Sequence, residues 1–452
     1  MEDTIVAIST ARGIGAISII RLSGQNALDI VSKIFKGKDL KTVASHTINH
    51  GYIVDKNGST IDEVLVSVML APKTYTTEDI VEINTHGGIA STNKVLELCL
   101  VNGARLAQPG EFTKRAFLNG RIDLTEAEAI EDVINSSTDK SLRLSMNQLT
   151  GSLKNLITEI RKDIMSLVAN IEVNIDYPEY EDAEDITLQK LKEKLLPIKS
   201  KLEELLKNSN DAKIIKDGIN ICMIGRPNVG KSSLLNAFLE EDKAIVTDIA
   251  GTTRDIVEGE TIINGIKINF LDTAGIRKTA NVVEKIGVDK SKKIINTADL
   301  IILVLNNNEK LTLDDFELLE LVKDKNYIIF INKNDLPSKI DLEISKYNNV
   351  VYGNTLTTTG IKELKEMITT LFNLEKISTN DATYITNARH KALIEIALNY
   401  LNSALENIAN GYSVDMLEID IRACWDTLGE IIGATYKDEL LDELFSNFCL
   451  GK

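Results

Sequence analysis

Gly225-Arg226-Pro227-Asn228-Val229-Gly230-Lys231-Ser232 is the segment most informative about the fold of this chain. It fits the pattern Gly-x-x-x-x-Gly-Lys-Ser/Thr, in which a glycine-rich loop and a helix N-terminus surround a phosphate. The apolar run Ile219 to Ile224 precedes it and predicts a buried strand, and helically spaced apolar residues follow it. The stretch therefore predicts a P-loop, with Lys231 reaching the outer phosphates and Ser232 holding Mg²⁺.

Three further segments accompany the P-loop in the order that a GTPase requires. Gly251-Thr252-Thr253-Arg254-Asp255 is a loop able to close over Mg²⁺ and the γ-phosphate. Asp272-Thr273-Ala274-Gly275 offers a carboxylate to the Mg²⁺ shell and a glycine N–H to the γ-phosphate. Asn332-Lys333-Asn334-Asp335 ends in a carboxylate that can accept from guanine N1–H and the 2-amino group, donors that adenine lacks. These motifs predict a GTP site.

The predicted GTP-binding residues are Asn228, Val229, Gly230, Lys231, Ser232, Ser233, Thr247, Asp248, Ile249, Ala250, Gly251, Thr252, Thr253, Asp272, Thr273, Ala274, Gly275, Asn332, Lys333 and Asp335. Ser232 and Thr253 are the predicted Mg²⁺ ligands.

Composition sets broad limits on the chain. Its 452 residues suggest about three domains. No run of 18 apolar residues occurs, and the acidic start lacks the basic region of a signal peptide, so no membrane association is expected. Four scattered cysteines predict neither a disulfide framework nor a zinc site, which favours a cytoplasmic location. The net charge of −16 argues against nonspecific nucleic-acid binding by the whole surface.

Changes in hydrophobic period divide the chain into four segments. Residues 1–118 mix strand and helix signals and predict an α+β domain. Residues 119–212 and 377–452 show helical spacing, which predicts two parts of one all-α domain. Residues 213–376 alternate strand and helix signals and predict an inserted α/β P-loop domain of Ras-like type, with a parallel, doubly wound sheet. The fold class predicted is therefore multidomain.

Three segments outside the GTPase motifs carry a resemblance that covers essentially the whole chain. They are Ile19 to Gly24, Glu82 to Gly88 and Pro109 to Gly120, and the chain ends in Cys-x-Gly-Lys. With these and the inserted GTPase motifs, the chain resembles the MnmE (TrmE) family of tRNA-modification GTPases.

The resemblance implies a homodimer that works with a flavin-dependent partner, MnmG, in a heterotetramer. Together they build an aminomethyl-type substituent at C5 of the wobble uridine of certain tRNAs, with a carbon from 5-formyl- or methylene-tetrahydrofolate. It also implies that the N-terminal domain dimerises and binds the folate.

Site residues follow from the resemblance position by position. Arg21, Glu82 and Lys452 match folate-contacting positions, and Arg121 matches another that is usually lysine, a change that alters donor geometry. Cys449 matches the functional cysteine of the family. Two alternatives stay open: a structural ion pair between Arg21 and Glu82, and a cysteine that is merely packed at a helix end.

The means of GTP cleavage is also implied by the resemblance. The position after the Asp-x-x-Gly motif is Ile276, which cannot orient water as the glutamine of Ras does. Glu284 matches the water-positioning glutamate of the family, and a K⁺ ion replaces the arginine finger. The K⁺ ligands would be Asn228, Thr247, Ile249 and Thr252. Arg254 as a conventional finger, and Glu284 as an ordinary helix-surface residue, are the alternatives.

A different function class competes with tRNA modification. Ribosome-assembly GTPases share the Asn228-type loop and the Gly-Thr-Thr-Arg-Asp segment, but they usually carry a basic RNA-binding appendage or a second G domain. This chain contains one Gly-x-x-x-x-Gly-Lys-Ser motif and is strongly acidic. Folate binding by residues 1–118 would distinguish the two classes.

The last guanine-binding loop departs from the usual pattern. It reads Asn354-Thr355-Leu356 where Ser-Ala-Lys is usual, although Thr355 retains the backbone N–H for guanine O6.

Overall fold

The computed structural model describes residues 3–176, 187–241, 257–271, 295–375, 384–436 and 438–452. Two compact units arise, and each is assembled from separated stretches of chain. Unit 1 comprises Met1–Glu131, Gln148–Lys199 and Ala392–Lys452, and unit 2 comprises Asp132–Asn147 and Ser200–Lys391.

The sheet of unit 1 contains seven described strands in the order β3-β4-β5-β6-β2-β1-β7. The neighbouring strands pair antiparallel except β1 and β7. The mixture of strands and helices expected in residues 1–118 is confirmed. The bounds are β1 Ile5–Ile8, β2 Ile17–Ser23, β3 Phe35–Gly37, β4 Thr47–Val54, β5 Thr60–Met69, β6 Ile80–His86 and β7 Arg105–Leu106.

One face of this sheet is covered by helices and the other is partly open. Helices α1 (Ala27–Ile34) and α2 (Ile89–Val101) pack alternate strand residues such as Val66 and Ile83 into one core. The intervening strand residues point to the other face, where Ile17 and Ile48 remain about two-thirds exposed. Arg21 and Glu82 belong to that second face.

Long amphipathic helices account for most of the remaining chain, as the spacing predicted. In α6 (Ser152–Asp176) the buried residues Ile160, Ile164, Leu167 and Ile171 recur every three or four positions. This helix packs against α13 (Val414–Ile432). The bounds are α3 Glu111–Leu118, α4 Leu124–Asn135, α5 Asp139–Leu149, α6 Ser152–Asp176, α7 Leu188–Lys207, α8 Ser209–Asp217, α9 Lys231–Glu241, α10 Leu313–Val322, α11 Ile361–Leu371, α12 Ala388–Ala409, α13 Val414–Ile432 and α14 Asp438–Ser446.

The sheet of unit 2 has six described strands in the order β13-β12-β11-β8-β10-β9. The bounds are β8 Ile219–Ile224, β9 Val257–Ile263, β10 Ile266–Leu271, β11 Leu300–Asn306, β12 Tyr327–Asn332 and β13 Val350–Tyr352. The sheet is parallel, as predicted, except at its edge, where β9 pairs antiparallel with β10. Asn264 and Gly265 both have positive φ, so these strands form a tight hairpin rather than a crossover.

Both faces of this second sheet are buried. Met223 and Val304 pack into one cluster with Phe238 of α9, while Cys222 and Leu303 pack into another with Leu319 of α10. This alternation produces a doubly wound fold whose parallel strands carry their loops at the carboxyl edge. None of the helices within the described ranges is long and apolar enough to cross a bilayer.

Candidate functional site

The loop between β8 and α9 has the backbone geometry of a phosphate cradle. Gly225 has φ +147°, and a Cβ there would lie 2.4 Å from the carbonyl oxygen of Val304. Gly230 has φ +105°, and a Cβ there would lie 2.1 Å from Nδ2 of Asn332. The loop therefore requires glycine at both positions, and it leads directly into the N-terminus of α9.

Lys231 lies folded over this loop. Its Nζ donates to the carbonyl oxygens of Gly225 (2.6 Å) and Arg226 (2.7 Å). Ser232 and Ser233 are exposed on the first turn of α9. An ammonium held at the mouth of the loop, beside a helix N-terminus, is the arrangement that attracts the outer phosphates of a nucleotide.

The buried side chain of Asn332 connects the P-loop to the loops that would surround a base. Its Nδ2 donates to the carbonyl oxygen of Val229 at 2.8 Å. Its Oδ1 accepts from the backbone N–H of Lys333 at 2.8 Å and of Thr355 at 3.1 Å. The N–H of Thr355, expected to reach guanine O6, is thus paired with Asn332 in this structure. To donate to guanine O6, the Thr355 N–H would have to be shared with Asn332 or released from it.

Lys333 and Asp335 complete this side of the nucleotide site. Nζ of Lys333 donates to the carbonyl oxygen of Asn228 at 3.2 Å, which adds a second connection to the P-loop. Asp335 is exposed just beyond the end of β12. Its carboxylate is accessible to an incoming base.

Arg226 has a role that sequence reasoning missed. Its Nε lies 2.8 Å from a carboxylate oxygen of Asp315, and its NH2 group lies 2.9 Å from Glu309. Asp315 is buried, and it also accepts from Thr312 in the capping box of α10. Arg226 therefore anchors the start of the P-loop to α10. The eight-residue motif leaves this position unspecified, so no pattern in the sequence points to this role.

Several predicted site residues lie outside the described residues. They are Thr247, Asp248, Ile249, Ala250, Gly251, Thr252, Thr253, Asp272, Thr273, Ala274, Gly275 and Glu284. Ile276 and Arg254 lie outside them as well.

In unit 1, Arg21 and Glu82 are direct neighbours on β2 and β6. Nε of Arg21 donates to Oε1 of Glu82 at 2.7 Å, and each side chain is about one-fifth exposed. The guanidinium also lies 5.7 Å from the ring centroids of Tyr75 and Phe112. The ion pair of the alternative interpretation is therefore formed, but it sits partly open to solvent beside two aromatic rings.

The C-terminal segment after α14 docks on the same region. The hydroxyl of Ser9 donates to the carbonyl oxygen of Gly451 at 3.0 Å, and the N–H of Gly110 donates to that of Cys449 at 3.4 Å. Phe445 and Phe448 pack into a cluster with residues of α3 and α4. The docking rests on backbone and aromatic contacts.

This docking brings the Lys452 ammonium within electrostatic reach of Arg21 and Glu82. Burial lowers the pKa of the Lys452 ammonium below its usual value and Arg21 lowers it further, while Cys449 and Glu82 oppose that shift. Cys449 is exposed, whereas Cys99, Cys222 and Cys424 are buried. Burial raises the pKa of the Cys99 thiol to about 12, which makes that thiol unreactive.

Arg121 also lies against the Tyr75 ring. Its guanidinium is 4.9 Å from the Tyr75 ring centroid, and its NH1 group donates to the Tyr75 carbonyl oxygen at 3.1 Å. The Tyr75 hydroxyl pairs with Thr113 at 2.8 Å, and burial raises the pKa of Tyr75 above its usual value. Tyr75 thus bridges Arg21 and Arg121. Sequence reasoning missed it, because a single aromatic among threonines carries no signal.

Among the described residues, no group of three or more His, Cys, Asp or Glu side chains is arranged to hold a metal ion. The oxygens offered by the P-loop and by exposed Ser232 suit a hard cation that shares its shell with phosphate oxygens.

Two family models match the chain. Residues 4–121 match the GTP-binding protein TrmE N-terminus, and residues 124–449 match the MnmE helical domain. The tRNA modification GTPase MnmE of Ligilactobacillus salivarius is 50% identical over 455 residues, covering 100% of this chain and 98% of that relative. The protein of the same name from Streptococcus pyogenes serotype M2 is 54% identical over 452 residues, with the same coverage.

One solved structure illustrates how partial the structural likenesses are. The FeoB G-domain from Methanococcus jannaschii is 28% identical, covers 34% of this chain and 98% of its own length, and has a TM-score of 0.26. A TM-score this low supports no inference about the present chain.

Proposed function

The chain belongs to the MnmE family of tRNA modification GTPases, and on this premise we propose a specific activity for it. It is a K⁺-dependent GTPase that acts in the cytoplasm as a homodimer, joined by the flavoprotein MnmG in a heterotetramer. Together they convert C5 of the wobble uridine of certain tRNAs to a carboxymethylaminomethyl- or aminomethyl-type uridine with a folate-derived carbon. The docked C-terminal segment, whose Lys452 lies within electrostatic reach of Arg21 and Glu82, is the observation that most supports the proposal.

Residues of unit 2 would bind and cleave GTP. The P-loop amides and Lys231 would surround the phosphates, Asp335 would accept from the guanine base, and Asn332 would hold both loops in register. Ser232 and Thr253 would ligate Mg²⁺, whose charge offsets that of the phosphates. Glu284 would orient the attacking water, because Ile276 cannot.

Asp335→Asn should weaken GTP binding about 10- to 150-fold, because a charged acceptor that faces two donors is lost. The amide also presents an N–H where the carboxylate accepted. Xanthosine triphosphate, which has a carbonyl at that edge, should therefore bind the variant better than GTP does. Competition binding with both nucleotides measures this, and unchanged GTP affinity would contradict the base-reading role.

Turnover should be about tenfold or more higher in KCl than in NaCl of equal ionic strength. The exposed Asn228 side chain offers a neutral oxygen beside the P-loop, as a large monovalent cation prefers. Asn228→Ala should reduce this K⁺ response while guanine nucleotides still bind. Equal rates in both salts for the unmodified chain would remove the K⁺ role.

Residues of unit 1 fit a reduced folate. The Glu82 carboxylate can accept from the N–H groups of a 2-aminopteridine, and the partly exposed ring of Tyr75 offers flat apolar surface. Arg21 and Lys452 would place two cations near the carbonyl oxygens of the ligand. The ion pair that Arg21 makes with Glu82 would then orient the carboxylate.

The open face of the sheet supports the homodimer. Ile17, Ile48 and Leu65 project from three strands of that face and are about half to two-thirds exposed. A monomer rarely leaves such a patch uncovered, and the two-fold symmetry of a dimer would bury it against itself.

Calorimetry of the full-length chain with 5-formyl-tetrahydrofolate tests the folate part of the proposal. Saturable binding that is lost in Arg21→Ala supports it. An absence of binding at millimolar ligand would remove the one-carbon chemistry and leave only the family's GTPase activity.

A further inference from the structure

A pocket of about 520 Å³ opens next to Tyr75 in unit 1. Its volume lies within the range of small-ligand sites. Three of its lining side chains are basic, those of His46, Lys73 and Arg121, and none of its lining residues is aspartate or glutamate.

This charge pattern runs against the rest of the molecule. The chain has 67 acidic and 51 basic residues, and other cations of the same unit are paired: Arg21 with Glu82, and Lys114 with Asp442. Within the described residues, neither Lys73 nor Arg121 forms a salt bridge to a carboxylate. A pocket with unneutralised cations and no acids is suited to an anionic ligand.

The pocket adjoins the proposed folate site at Tyr75. Tyr75 lines the pocket, and its ring also lies 5.7 Å from the Arg21 guanidinium. Arg121 sits over the same ring at 4.9 Å and lines the pocket as well. A ligand whose flat end lies beside Arg21 and Glu82 would therefore extend its other end past Tyr75 towards Lys73.

We propose that this pocket binds the oligo-γ-glutamate tail of the folate, so that the chain prefers polyglutamylated folates to monoglutamates. The inference rests on the proposed folate function and adds the ligand form that the site selects. Each added glutamate brings one further carboxylate, Lys73 and Arg121 supply the matching charges, and His46 adds a ring nitrogen.

The test compares the mono- and triglutamate forms of 5-formyl-tetrahydrofolate by calorimetry on the full-length chain. At low salt the triglutamate should bind about tenfold more tightly, since two extra carboxylates each gain a partly exposed ion pair. At about 1 M salt the preference should largely disappear, because screening reaches within a few ångströms.

Lys73→Ala should reduce the preference to about threefold and leave monoglutamate affinity nearly unchanged, since it removes one such ion pair. Lys56→Ala is the matched control. Lys56 lies in the turn between β4 and β5, while His46 and Lys73 flank the opposite ends of those strands. The same loss of charge there should leave the preference intact.

The possible results distinguish a failure of the tail pocket from a failure of the proposed folate function. Equal affinity of the unmodified chain for both forms, or an undiminished preference in Lys73→Ala, would overturn the tail pocket while leaving the folate site standing. Failure of both forms to bind would remove the folate function and the pocket together. Loss of tRNA binding in Lys73→Ala, with an unchanged folate preference, would assign these cations to RNA phosphates instead.

Discussion

Glu284→Ala is expected to bind GTP nearly normally and to hydrolyse it about 10²–10⁴ times more slowly. The attacking water needs a positioned acceptor, and the residue after the Asp-x-x-Gly motif, Ile276, offers none. Affinity should persist, because the P-loop amides, Lys231 and Asp335 do not depend on Glu284. Single-turnover hydrolysis and nucleotide binding on the same sample measure the two quantities.

A matched variant makes this result specific. Glu317 is exposed on α10 of the same unit, so Glu317→Ala removes an equal charge away from the nucleotide site. Its turnover should equal that of the unmodified chain. If Glu284→Ala also turns over normally, the water is positioned by another group, and Arg254 becomes the residue to test.

Cys449→Ser is expected to abolish wobble-uridine modification in cells while folding, folate binding and GTP hydrolysis remain. The exposed thiol makes no contact on which the docked segment depends, because docking uses Gly451, Gly110 and two phenylalanines. Serine conserves size, but a hydroxyl lacks the nucleophilicity of a thiolate at neutral pH. Nucleoside analysis of tRNA from cells that express only the variant gives the readout.

Gly451→Ala provides the structural comparison. Gly451 has φ +90°, and an added Cβ would lie 2.5 Å from the carbonyl oxygen of Ile8. This variant should displace the segment and reduce folate affinity as well as modification. Normal modification by Cys449→Ser would show that this cysteine only packs, and the chemistry would then rest on the flavoprotein and the folate.

The nucleotide-binding fold was predictable because its determinants are local. The strand Ile219–Ile224, the loop and α9 are consecutive, and their residue types specify each element. The antiparallel edge strand β9 was not predicted, although Asn264-Gly265 between two apolar runs is a hairpin signal. The alternation of strand and helix signals favoured a parallel sheet, whereas the positive φ angles of these two residues reverse the chain.

The site in unit 1 depends on contacts that local patterns cannot reveal. Arg21 and Glu82 are 61 residues apart and meet only through sheet register. Ser9 and Gly451 are 442 residues apart and meet only when the C-terminal segment docks. The resemblance assigned Arg21, Glu82 and Lys452 to one folate site, whereas the Ser9–Gly451 contact and Tyr75 were found only in the structure.

The P-loop also shows where a motif stops being informative. The pattern specifies Gly225, Gly230 and Lys231, but it leaves Arg226 and its partners Asp315 and Glu309 open. Likewise, the Asn-Lys-x-Asp motif predicts base recognition but not that Asn332 holds the N–H of Thr355. Such tertiary connections depend on how the loops converge at the carboxyl edge of the sheet.

The measurement that tests the central claim most directly is nucleoside analysis of wobble uridines in tRNA from cells that lack this chain. The aminomethyl-type substituent at C5 should disappear in those cells, and the unmodified gene should restore it. Wobble uridines that keep this substituent in the absence of the chain would contradict the claim.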